Sequence, residues 1–188
     1  MREMVTVGVY GFTAESFVQR LHQANVRLLL DVRQRRGVRG PAYAWANSLR
    51  LQEILAQAQI AYEHHPELAP TTELRHLQYA EDDRQGVGKR SRHELAPAYI
   101  RRYTTEILDH ADLDQILRGT GTAALLCVER DPEACHRSLI AERLTSQHGT
   151  NPQNGQGFCG EEAAGSVQTL CRHDEGRTGS RCGLRRSP

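Results

Sequence analysis

The sequence predicts an α/β fold: a small, mostly parallel sheet of about four strands with helices on both faces, followed by a disordered C-terminal tail. Three observations lead there. Short apolar runs of strand length (TVGVY, RLLLDV, AALLCV) alternate with longer stretches whose apolar residues recur at helical spacing. Two of these runs, RLLLDV and AALLCV, are almost continuously apolar, as expected of strands covered by helices on both faces. After about Gln147 the periodicity stops and glycine becomes frequent, so that stretch buries too little surface to offset its ordering entropy. Residues 1–147 therefore read as one domain and 148–188 as a low-complexity tail.

From Val5 to Val9 the odd positions are valine, and Gly11 closes a first strand. Thr13 caps a helix whose Phe17, Val18, Leu21 and Ala24 form one stripe. Arg27 to Val32 is the second strand. The polar, glycine-broken RQRRGVRGP at 33–41 can only be a loop. Asn47 then caps a helix with Leu51, Ile54, Leu55 and Ala58 facing inward, and Ile60 to His64 is a third strand stopped by Pro66. Residues 69–93 show no clear period and predict a long, partly ordered excursion, a candidate mobile lid. Pro97 opens a helix with Ile100, Tyr103, Ile107 and Leu108 on one face, and a short helix follows Asp112. Ala123 to Val128 is a central strand. Asp131-Pro132 then starts a last helix burying Leu139, Ile140 and Leu144, which puts Cys135, His136 and Arg137 in its first turns.

Composition narrows the setting. No stretch approaches the ~20 apolar residues of a membrane span, and the amino terminus runs straight into a strand pattern, so the expectation is a cytoplasmic protein without membrane contact. Five cysteines is an odd number for a disulfide framework, and they read as thiols. Lys89 is the only lysine among 24 lysine and arginine residues. Because the formal net charge is only +1, bulk basicity says nothing about nucleic acid, and any argument must come from clusters.

Three clusters carry candidate chemistry. Asp31 and Arg33 share one face at the carboxyl end of the second strand, where open α/β sheets place ligands; they read either as ligand contacts or as a pair pinning the next loop. That loop holds Arg33, Arg35, Arg36 and Arg39 around Gly37 and Gly40, with Tyr43 and Trp45 beyond. It reads as a phosphate clamp with stacking aromatics, or as a solvated arginine loop. The richest string is Cys127-Val128-Glu129-Arg130-Asp131-Pro132-Glu133-Ala134-Cys135-His136-Arg137-Ser138. Free N–H groups and the dipole at a helix start favour an anion, either bound phosphate or a thiolate. Cys135, His136, Cys127 and Glu129 are the catalytic candidates, and Asp31, Arg33, Arg36, Arg137 and Ser138 the ligand-binding ones. No metal site is assigned, because adjacent helical residues such as Cys135 and His136 diverge by about 100°. In the tail, Cys159, Cys171, His173 and Cys182 match no tight metal spacing. His64 and His65 read as turn residues, or one of them as a proton carrier at the same edge.

TVGVYG, LLLDVR, YEHHPEL and LLCVERDPEACHRSLIAERL together resemble the family of domains of unknown function numbered 488 (DUF-488) over roughly residues 5–146. The resemblance implies a small α/β domain with signature positions at Asp31, Arg33, Cys127, Glu129, Cys135, His136 and Arg137. It also implies a further strand after the last helix, where this chain has TNPQNGQGF, and a glycine-rich turn after PEL, where it has PTTELR. A looser likeness is to rhodanese-type domains, with Cys127 in the catalytic place. The resulting expectation is an enzyme-like site for a phosphorylated or nucleotide-type anionic ligand using Cys/His/Arg chemistry. Its alternatives are a nucleic-acid-binding module using Arg35, Arg36, Arg39 and the segment around Lys89, Arg90 and Arg92, rhodanese-like sulfur transfer, or a purely structural ion network of Asp31, Arg33, Glu129 and Arg137. The sequence names no cofactor.

Overall fold

The computed structural model describes residues 3–88, 91–147 and 168–170. In chain order the elements are β1 (Glu3–Gly8), α1 (Ala14–Gln23), β2 (Val26–Asp31), α2 (Ser48–Gln57), β3 (Ala61–His64), α3 (Thr72–Gln85), α4 (Pro97–Glu106), α5 (Asp114–Leu117), β4 (Thr122–Cys127), α6 (His136–Gln147) and β5 (Gln168–Leu170). All strand pairs are parallel, in the order β3-β2-β4-β1-β5. The α/β reading holds, with one topological addition. The β1–α1–β2 unit skips a position, and β4 fills the gap between its two strands.

Helices cover both faces. Phe17 and Leu21 of α1 and Leu51 and Leu55 of α2 pack with Val5, Val7, Leu29 and Leu126. Leu74 of α3, Tyr99 and Tyr103 of α4, and Ile140 and Leu144 of α6 pack with Met4, Leu28, Leu30 and Leu125 on the other side. Phe17, Leu21, Leu51 and Leu55 are all at 0% exposure, and burial of such side chains stabilises by about 1.5–3 kcal/mol each. Although the valines of β1 alternate, the strand is not half-exposed: Met4 and Thr6 on its other face are buried as well.

Local chemistry sets the element ends. Thr13 forms a capping box with Ser16, the Ser16 N–H donating to Thr13 Oγ1 at 3.2 Å and the Thr13 N–H to Ser16 Oγ at 2.9 Å. Asn47, expected to cap α2 with its side chain, instead accepts the Val38 N–H at Oδ1 (2.7 Å) and ties the arginine loop to the helix start. The expected irregular excursion after residue 69 is corrected: most of it is α3, capped by Thr71, which accepts the Leu74 N–H at 3.2 Å, and closed by Gly86 at φ 65°.

The expected tail, residues 148–188, lies largely outside the described residues. Its Gln168–Leu170 segment is β5, paired with Val5–Val7 on the outer edge of β1. No helix among the described residues is long and apolar enough to cross a membrane.

Because β4 lies between β1 and β2, the carboxyl ends of three strands meet. Gly8 is in register with Cys127 and Asp31 with Leu126. The chain after β4 then crosses directly against β1: a Cβ on Gly8 would sit 1.9 Å from the Glu129 carbonyl oxygen. Only glycine leaves room for that crossing.

Candidate functional site

At the carboxyl ends of β2 and β4 a cavity of about 500 Å³ opens, lined on the sheet side by Cys127, Val128, Glu129, Cys135 and His136. The arginine loop supplies Arg33, Gln34, Arg35 and Arg39, and α3 supplies Arg75, His76, Gln78 and Tyr79. Cys127, Cys135 and His136 are 5%, 2% and 6% exposed, whereas Arg35, Arg39, His76 and Tyr79 are exposed. The sulfurs and imidazole therefore form the floor and the arginines the rim.

The floor is built by an unexpected piece of backbone. The Asp-Pro start forms a separate 3-10 turn, Pro132–Ala134, and α6 begins only at His136. Cys135 is consequently extended, at φ −144° and ψ 140°. The expectation that Cys135 and His136 diverge as helical neighbours is corrected on that ground. His136 Nδ1 lies 3.9 Å from Cys127 Sγ and 3.8 Å from Cys135 Sγ, and the three atoms are all within 4.8 Å of one another. His136 Nε2 lies 3.1 Å from the Val32 carbonyl oxygen. A carbonyl can only accept, so Nε2 carries the proton and Nδ1 is left facing the sulfurs.

Burial by itself would raise the Cys135 thiol. The hydrogen bond from Cys127, reinforced by the charges of Arg137 and His136, outweighs it and holds Cys135 well below the usual thiol range. Cys127, which gives that hydrogen bond and is itself desolvated, is pushed well above it. Burial works against an imidazolium at His136, but the neighbouring Cys135 thiolate prevails and raises it. Of the two thiols, Cys135 is the more acidic. Glu129 Oε2 lies 3.3 Å from Cys127 Sγ, so the single Cys127 S–H has the Glu129 carboxylate as an alternative acceptor to Cys135.

Asp31 and Arg33 meet this floor through the Val32 carbonyl, but their own side chains are occupied. Arg33 donates from Nε (2.8 Å) and Nη2 (2.7 Å) to Asp31 and from Nη1 to the Ala46 carbonyl (3.0 Å). Asp31 also accepts the Arg33 N–H and the Tyr62 hydroxyl, and does not line the cavity. Arg137 is at 0% exposure; it donates to the Glu129 and Arg130 carbonyls at 2.7 and 2.9 Å and likewise stays off the cavity wall. Ser138 donates to the Cys135 carbonyl. Arg36 does not line the cavity and acts instead on the Tyr62 hydroxyl. His64 contacts the Arg33 carbonyl, and His65 sits between Glu67 and Glu63. The expected stacking aromatics are engaged internally: Trp45 packs on Phe17 at 5.0 Å and Tyr43 on Tyr10 at 5.1 Å.

The family model described as "Domain of unknown function DUF488" matches residues 13–144. The chain belongs to the DUF488 family. No curated protein and no solved structure matches it. Within this DUF488 domain, the wall contributed by α3 went unread in the sequence. Arg75, His76 and Tyr79 lie on a helix whose buried positions include Gln78 and Asp82 beside Leu74, so the apolar period is broken. The cap pair Thr71 and Gly86 was the available signal.

One prediction arises from that wall. Asp82 accepts from Arg92 and, at 2.9 Å, from Gln78, whose Oε1 accepts the Ala96 N–H at 2.8 Å; the three staple α3 to the chain before α4. Burial would raise the Asp82 carboxyl, but Arg92 and Gln78 outweigh it and hold it below the usual range. A carboxylate depressed in the folded state stabilises fully above its unfolded pKa of about 3.9, and that contribution is lost as pH falls through the lower folded value. Asp82→Asn is therefore expected to lower the urea midpoint at neutral pH and to narrow the gap from wild type in acid. A gap independent of pH would show that the pair carries no such linkage.

Proposed function

We propose that the cavity is an enzyme-like site for a phosphorylated or nucleotide-type anionic ligand, with Arg35, Arg39 and Arg75 receiving the anion above Cys135, His136 and Glu129. The observation that carries this reading is the charge arrangement of the walls. Arg33 and Arg92 are neutralised by Asp31 and Asp82, and Glu129 lies 4.0 Å from Arg92. Arg75 donates only to the neutral Thr72 hydroxyl (2.9 Å) among its described contacts, and no ion pair among the described residues involves Arg35 or Arg39. Three guanidinium groups over one concave surface favour a di- or trianion, since the planar fork matches phosphate oxygens. Tyr79, 40% exposed on the same wall, offers a face on which a base can stack.

Calorimetric titration with adenosine monophosphate, adenosine and inorganic phosphate tests this. The monophosphate is expected to bind more tightly than the nucleoside, with affinity that weakens as salt rises. The Arg35→Gln/Arg39→Gln/Arg75→Gln variant should lose at least about tenfold, the equivalent of one charged hydrogen bond of about 1.4 kcal/mol. Equal affinity for nucleoside and nucleotide, or binding unchanged in the triple variant, overturns the proposal.

A further inference from the structure

We propose that Cys127 Sγ, Cys135 Sγ and His136 Nδ1 form a three-ligand site for a zinc-class divalent cation, with its fourth coordination position open to the cavity. The proposal is independent of the anionic ligand and rests on four features of the floor.

The first is distance. In a tetrahedral site with Zn–S near 2.3 Å and Zn–N near 2.05 Å, a sulfur and a nitrogen ligand stand about 3.6 Å apart. The two observed S···N separations are 3.9 and 3.8 Å, a few tenths of an ångström longer, and the two sulfurs lie within 4.8 Å of each other, against about 3.8 Å for two thiolates on one tetrahedral ion. The second is the backbone at Cys135. Cys135 is extended and lies outside α6, so the 100° divergence of two helical neighbours does not apply to it and His136.

The third is the anchoring of the imidazole. The Nε2–H bond to the Val32 carbonyl fixes the tautomer that presents Nδ1 as the donor atom, the outer-shell partner that metal-bound histidines generally have. The fourth is access. The cluster is buried on the protein side yet lines the cavity, as in sites that keep one position for water or substrate, whereas a closed structural site has four protein ligands.

Two thiolates and an imidazole select a borderline or soft cation over magnesium or calcium, which prefer oxygen. The ion takes thiolates and a neutral imidazole, so binding releases whatever protons those atoms carry. The Glu129 carboxylate, 3.3 Å from Cys127 Sγ, lines the same cavity and would be the nearby base for chemistry that such an ion supplies.

The test is cobalt titration of the full chain after chelator treatment, read by absorption. One equivalent of Co²⁺ is expected to give both a sulfur-to-cobalt charge-transfer band and the intense visible bands of a tetrahedral ion, and Zn²⁺ should abolish them. The chain has five cysteines, so the variant Cys159→Ser/Cys171→Ser/Cys182→Ser leaves only Cys127 and Cys135 as thiols. It should keep the full signal, and Cys135→Ser and His136→Gln should lose or shift it. Loss of the signal in the tail variant, or its retention in Cys135→Ser, overturns the proposal. The tail variant leaves Cys127, Cys135 and His136 unchanged, so its outcome decides even where a core substitution impairs folding.

Discussion

Asp31→Asn is expected to cost about 3–5 kcal/mol of folding stability, the range for removing one charge of a buried pair. Asp31 is at 0% exposure and Arg33 at 2%. The carboxylate takes four hydrogen bonds: from the Arg33 N–H, Nε and Nη2, and from the Tyr62 hydroxyl. An asparagine keeps the shape but turns an N–H₂ toward one of two donor sets, and it leaves the guanidinium without its counter-charge. The cost therefore comes from stranding Arg33 more than from any attraction lost. Replacing both residues by apolar ones of similar volume should recover much of it, and urea denaturation of Asp31→Asn, Arg33→Met and Asp31→Leu/Arg33→Met measures the difference. A single-variant loss below about 1 kcal/mol, as for an exposed pair, would show that Arg33 finds another partner.

The same pair illustrates what could be read from residues alone. Period two and strand length locate β1, β2 and β4 to within a residue or two, and the alternation in Asp31-Val32-Arg33 places both charges on one face of the carboxyl edge, where they are found. Spacing cannot tell whether such a pair faces a ligand or itself, because that depends on Ala46 and Tyr62, which arrive from other elements. Two failures have a common cause. The α3 helix hides because its buried face includes Gln78 and Asp82, satisfied by Ala96 and Arg92, which are distant in sequence. The convergence of Cys135 and His136 hides because a proline can open either a helix or a single 3-10 turn, and the local sequence does not distinguish the two. Local periodicity is blind to polar groups that are satisfied across the fold.

Arg137→Met is expected to destabilise the domain by about 3 kcal/mol or more and to loosen the cavity floor. Arg137 has no exposed surface, and its Nη1 and Nη2 donate to the Glu129 and Arg130 carbonyls at 2.7 and 2.9 Å. Hydrogen bonds to a charged group contribute about 1.5–3 kcal/mol each, and their loss here leaves two carbonyls without those donors. The position is more consequential than the count. The Glu129 carbonyl is held between the arginine and Gly8, in the space where a side chain on Gly8 would stand, so the crossing that carries Glu129 is clamped from both sides. Methionine fills the stem volume but has no donor, which separates hydrogen bonding from packing. Arg137→Lys keeps a charge on a single nitrogen that cannot serve both carbonyls in the same planar geometry, and should fall between the two. The checks are urea denaturation for stability and amide hydrogen exchange across residues 128–135 for the crossing. If exchange there stayed at wild-type levels in Arg137→Met, the clamp would lie in Gly8 and the strand pairing, and the arginine would be a counter-charge to the Cys135 thiolate alone.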